Sequence, residues 1–156
     1  MRTLIVEDDP VFSDVLATAL RRRGFEVVVA LTCEEATTLI AASPPELAVV
    51  DLRIGSGSGL TLIPLLTRGP RPARTVVLTG YGSIATAVEA VKLGASQYLT
   101  KPADTETIVA ATAVVPDVDD DLANGLAAIL AQFLSVKREL LGVHRREPDV
   151  EDVAID

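Results

Sequence analysis

Tryptophan is absent from this chain, and cysteine, histidine and methionine occur once each. Aromatic residues make up only 3% of its 156 residues. The single cysteine, Cys33, cannot close an internal disulfide or build a four-cysteine zinc site, so a stapled secreted fold and a zinc ribbon are both excluded. Cys33 is expected to be a small, partly buried apolar residue. The scarcity of aromatics argues against a stacking platform for single-stranded nucleic acid. His144, the lone histidine, lies beside Arg145 near an expected helix end and reads as solvated. No apolar run reaches the ~18 residues that a membrane helix needs. The start, Met1-Arg2-Thr3-Leu4, runs into Glu7-Asp8-Asp9 without the apolar stretch and small-residue cleavage site of a signal peptide, so a cytoplasmic location is expected. Basic residues are outnumbered. The net charge of −8 and a pI of about 4.6 have the wrong sign for general nucleic-acid binding.

What is present fits a globular chain. Hydrophobic residues at 49% and charged residues at 23% are ordinary proportions, and the length suits one domain with a small appendage. The charge is uneven. Through residue 104 there are 11 acidic and 10 basic side chains, and after it 11 acidic and 4 basic. A near-neutral domain is followed by an acidic extension.

Short apolar runs alternate with helical patterns. Leu4–Val6, Val27–Ala30, Leu47–Val50 (closing on Asp51), Thr75–Leu78 and Gln97–Thr100 read as strands. Helices are expected from Pro10 to Arg23, Glu34 to Ala42, Leu60 to Leu66, Ser83 to Leu93, and from about Asp104 to Ala113. Asp9 and Pro10 supply a cap and a first helical position, and Val11, Val15, Leu16, Ala19 and Leu20 recur at helical spacing. Arg21-Arg22-Arg23 suits the negative end of that helix and reads as a solvated end, and Gly24 stops it. Pro64 makes the third helix irregular. Gly55-Ser56-Gly57-Ser58-Gly59 lacks the Gly-Lys-Ser/Thr ending of a phosphate-binding loop and reads as a flexible loop. The strands are apolar without polar alternation, which means burial on both faces. The expected fold is a doubly wound α/β domain, a five-stranded parallel sheet in the flavodoxin-like order 2-1-3-4-5, with a C-terminal helical extension.

The domain is expected to cover residues 1–113, with a linker at 114–121, an amphipathic helix at 122–144 and an acidic tail at 145–156. Leu122, Leu126, Ile129, Phe133, Val136 and Leu140 alternate spacings of four and three, the pattern of a coiled-coil seam. A homodimer through this seam is expected, although fewer than three heptads are marginal alone.

In an open parallel sheet, sites form at the carboxyl ends of the strands. Glu7, Asp8 and Asp9 follow the first strand, Asp51 the third, Thr79-Gly80 the fourth and Lys101-Pro102 the fifth. Carboxylates brought together repel one another and stay ionised if a hard cation joins them, which suits Mg²⁺. Lys101 and the metal would neutralise phosphoryl oxygens, Thr79 would hydrogen-bond one, and Asp51 at the sheet centre would be the nucleophile of an aspartyl phosphate.

Glu7-Asp8, the lone Asp51, Thr79-Gly80 and Lys101-Pro102 resemble the receiver domain of two-component response regulators, over about residues 2–113. The resemblance implies that Asp51 takes a phosphoryl group from a phosphohistidine on a sensor histidine kinase. It implies that Asp8 binds Mg²⁺ directly, Glu7 through a water, and the Arg53 backbone carbonyl as a further ligand. Thr79 and Lys101 would grip the phosphoryl group, Tyr98 would be the switch aromatic moving with Thr79, and Pro102 would follow a cis peptide. The fourth helix, fifth strand and fifth helix would be the readout face and an alternative dimer surface. A narrower resemblance, through Thr79–Val88, Lys92-Leu93-Gly94-Ala95 and Lys101–Asp104, is to redox regulators of the RegA/PrrA/ActR type, which carry a DNA-binding helix-turn-helix. No such motif is recognisable in 114–156, so DNA binding by this chain is not expected.

The chain is therefore read as a self-phosphorylating and dephosphorylating switch rather than a turnover enzyme. A phosphatase of the haloacid dehalogenase type needs an acid two residues after the nucleophile, where this chain has Arg53. The remaining alternatives are a pseudo-receiver that takes no phosphate and a transcription factor with a diverged or truncated output domain.

Overall fold

The computed structural model describes residues 1–80 and 84–113. The expected linker, seam helix and acidic tail, with His144, lie outside the described residues, as does the start of the fourth expected helix at Ser83.

Five strands, β1 (Arg2–Val6), β2 (Glu26–Ala30), β3 (Leu47–Asp51), β6 (Arg74–Thr79) and β7 (Gln97–Thr100), form one parallel sheet in the order β2-β1-β3-β6-β7. Counting these five alone, that is the order read from the sequence. The intervening strands β4 (Arg53–Ile54) and β5 (Gly57–Ser58) form a separate small antiparallel hairpin. The glycine-rich segment is thus a structured turn rather than a flexible loop. Gly55 supplies the positive φ of +56° that the turn needs.

The helices cover both faces. On one side Ile5, Val49, Val76, Leu78 and Leu99 pack with Leu16 and Leu20 of α1 (Pro10–Arg21) and Ile108 of α5 (Thr105–Ala113). On the other, Leu4, Val6, Ala48 and Val50 meet Ile40 of α2 (Cys33–Ala42) and Leu66 of α3 (Ile63–Thr67). On that same side Val77 and Tyr98 meet Ala87, Ala90 and Val91 of α4 (Ile84–Lys92). Alternate residues of each strand thus point to opposite faces, and both faces are apolar because both are covered.

One further local reading changes, and two are sharpened. The α1 face that packs inward is Ser13, Leu16, Ala17 and Leu20, whereas Val11 and Val15 are 72% and 55% exposed. A spacing of four fits two faces of a helix, and the sheet selects one. The third expected helix is irregular, as read, with its change of winding just ahead of Pro64. A 3₁₀ turn at Gly59–Leu62 precedes α3, and Pro64 sits in the first turn of α3, where its missing N–H has no intrahelical partner to lose. The arginine run is exposed, as read, and two of its side chains also make hydrogen bonds. Arg21 donates to the Val27 carbonyl, and Arg23 donates to Ala19 and pairs with Glu106.

Candidate functional site

Parallel strands ending together bring their following residues to one edge. Asp51 closes β3 and is 6% exposed, flanked by β1 and β6. Glu7 continues the ladder beyond β1, its amide donating to the Ala30 carbonyl, and is 2% exposed. Lys101 continues β7, its amide donating to the Thr79 carbonyl. The ammonium of Lys101 donates to Glu7 Oε2 at 2.5 Å and to Asp51 Oδ2 at 2.6 Å. The other Asp51 oxygen accepts from the Arg53 amide at 2.9 Å. Glu7 Oε1 accepts from the Asp9 amide at 3.2 Å, and the exposed Asp8 accepts at Oδ2 from the Gly55 amide at 2.8 Å.

The charges set the electrostatics. Burial pushes the Glu7 carboxyl above its ordinary range, and the bonds from Lys101 and the Asp9 amide offset only part of that. Burial works against the Lys101 ammonium, but its bonds to Asp51 and Glu7 outweigh that and hold its pKa above the usual lysine value. Glu7 and Asp51 share this one ammonium, and Asp8 adds a third carboxylate. Oxygen atoms of Glu7, Asp8 and Asp51 all lie within 4.8 Å of one another. Ligand oxygens lie up to roughly 4 Å apart around Mg²⁺ and roughly 5 Å around Ca²⁺, so the group already has the scale of one hard cation. The donors are all carboxylate, with no imidazole or thiolate among them, which fits those ions and not zinc or copper.

Asp9 takes a different part. Its Oδ1 accepts from the Val11 and Phe12 amides at 2.9 and 3.1 Å, so the third carboxylate of the Glu7-Asp8-Asp9 run caps α1 and stays out of the cluster. Thr79 ends β6, buried, one residue past Leu78, which pairs with Asp51. Tyr98 is buried on the α4 side of the sheet. Its hydroxyl lies toward Thr79 but makes no hydrogen bond of ordinary geometry, and burial pushes its pKa up, with Thr79 offsetting part of the rise. The Lys101–Pro102 peptide is cis.

The sequence profile of the response regulator receiver domain matches residues 3–113. The chain belongs to that family. Over 108 residues this receiver is 51% identical to the acid tolerance regulatory protein ActR of Sinorhizobium medicae, covering 69% of this chain and 56% of that protein. It is 49% identical to the photosynthetic apparatus regulatory protein RegA of Rhodovulum sulfidophilum, covering 69% and 59%. The chain therefore spans less than three fifths of the length of these curated relatives. A crystal structure of a response regulator from Burkholderia pseudomallei, with a phosphorylated aspartic acid, calcium ion and citrate, is 38% identical with a TM-score of 0.67, covering 93% of this chain and 94% of that one. Receivers of this family bind divalent cations at an acidic pocket.

Three site contacts escaped the sequence reading. The Gly55 amide holds Asp8. Gly59 passes so close to the chain that a Cβ there would lie 2.1 Å from the Asp51 carbonyl oxygen. The Phe12 ring lies under Lys101 Nζ, 4.8 Å from its centroid. Only Phe12 had a readable signal, because the Asp9 cap fixes it in the first turn of α1, beside the site.

Proposed function

We propose that this chain is a phosphorylation switch of a two-component system, and that Asp51 accepts a phosphoryl group from the phosphohistidine of a sensor histidine kinase. The observation that carries this reading is the buried Asp51 carboxylate at the end of the central strand, held by Lys101 at 2.6 Å within a group of three carboxylates. An Asp51 oxygen attacks phosphorus, an O–P bond forms as the P–N bond to the imidazole breaks, and the histidine leaves with the electron pair. Glu7, Asp8, Asp51 and the Arg53 backbone carbonyl are the residues that would hold Mg²⁺. The ion would neutralise charge on the transferring phosphoryl oxygens.

The protein's own groups carry the rest. Lys101 is already at Asp51 and would move its bond from the carboxylate to a phosphoryl oxygen. The Arg53 amide fixes the orientation of the carboxylate. Thr79 would donate its hydroxyl to another phosphoryl oxygen. Tyr98, buried against α4 with its hydroxyl beside Thr79, would transmit that shift to the face formed by α4, β7 and α5. An acyl phosphate is reduced by borohydride while a carboxylate is not. After incubation with acetyl phosphate and Mg²⁺, reduction and peptide mapping should convert Asp51 alone. Conversion at another aspartate, with Asp51 intact, overturns the assignment.

A further inference from the structure

The Lys101 side chain is a quarter exposed, and two of its ammonium hydrogens are directed to Glu7 and Asp51. Nothing in those two bonds prevents the flexible stem from swinging the ammonium into water once a phosphoryl group redistributes the charge. An aromatic face lies beside the ammonium. Phe12 presents its ring to Nζ with the centroid at 4.8 Å, inside the ~6 Å over which a cation is attracted to a ring quadrupole.

The ring is itself held in place. The Phe12 amide donates to the Asp9 cap, and the half-buried side chain packs against the core beneath α1 and α5. Asp9 is tied in turn to Glu7 Oε1 through its own amide. A single run, Glu7 through Phe12, thus supplies both a carboxylate partner of Lys101 and the shelf that supports it.

We infer that Phe12 is a positioning residue for Lys101, its ring face keeping the ammonium within reach of Asp51 as the bond passes from carboxylate to phosphoryl oxygen. This rests on the function proposed above. Over the ring face the attraction changes slowly with small displacements of Nζ, so it survives a shift that would break a linear hydrogen bond. A leucine would fill similar space and offer no such face.

Two readouts on the full chain test this. The first needs no phosphodonor. Ring shielding should shift the Lys101 ε-methylene protons upfield in the NMR spectrum. Phe12→Leu should abolish the shift and Phe12→Tyr should keep it, while an unchanged shift in Phe12→Leu overturns the inference. The second is the rate of Mg²⁺-dependent phosphorylation by acetyl phosphate. Phe12→Leu should slow it about two- to tenfold, Phe12→Tyr should restore it, and Phe12→Leu should add nothing in a Lys101→Ala background. Equal slowing in that background assigns the effect to packing and overturns the inference. If the unaltered chain takes up no phosphoryl group, the proposed function fails, and the NMR shift still decides what Phe12 does.

Discussion

Lys101 Nζ donates to Asp51 Oδ2 across 2.6 Å, joining side chains 50 positions apart in the sequence. The same ammonium also bonds Glu7, so the two buried carboxylates repel each other less than their spacing would dictate.

Removing that ammonium should therefore be costly, and a hard cation should compensate. Lys101→Ala is expected to lose about 1–3 kcal/mol in urea unfolding without divalent ions, below the range for a fully buried pair because Lys101 is partly exposed. Millimolar Mg²⁺ should stabilise this variant more than the unaltered chain, and the gain should shrink when Asp8→Ala is added. Equal stabilisation of all three proteins would remove the cation from the carboxylate cluster.

Gly59 should tolerate no side chain. A Cβ there meets the Asp51 carbonyl oxygen at 2.1 Å and Val50 Cγ1 at 2.8 Å, and the backbone oxygen cannot move without shifting β3. Gly59→Ala is expected to destabilise the fold by about 3 kcal/mol and to slow phosphorylation, because the displaced residue is Asp51. A stable variant with full uptake would contradict this reading of the β3–α3 connection.

Acid should loosen the start of α5. Asp104 accepts from the Thr107 amide at 2.7 Å, and that bond holds its carboxyl below the ordinary aspartate value of 3.8. A lowered folded-state pKa contributes stability that is present above the unfolded value and is lost as pH falls through the folded one. The Thr107 amide resonance should titrate with a midpoint below 3.8 and be insensitive to pH there in Asp104→Asn. A midpoint at or above 3.8 would show that the cap does not favour the charged form.

Dimerisation through the 122–140 seam is proposed from the spacing of Leu122, Leu126, Ile129, Phe133, Val136 and Leu140. Leu126→Lys with Phe133→Lys should halve the mass measured by light scattering if the seam joins two copies. An unaltered mass would place any dimer elsewhere.

Much of the fold was legible because a doubly wound sheet needs uninterrupted apolar strands. Leu47–Val50 and Thr75–Leu78 carry that signal without ambiguity. The strand ends then located Glu7, Asp51 and Lys101, since topology alone brings those ends to one edge. The signal failed where tertiary contact chooses among equal local options. Val11 and Val15 fit a buried stripe as well as Leu16 and Leu20 do, and the sheet took the latter. The segment from Gly55 to Gly59 looked shapeless because its order comes from outside it: the Asp8 carboxylate on one amide and a steric limit at Asp51. The Asp9 cap places Phe12 in the first turn of α1, but only the tertiary fold brings it to Lys101, which is distant in sequence.

The most direct test of the central claim is intact mass after incubation with acetyl phosphate and Mg²⁺. The account predicts one added phosphoryl group, absent with EDTA and absent in Asp51→Asn. No added mass, or the same addition in Asp51→Asn, would contradict it.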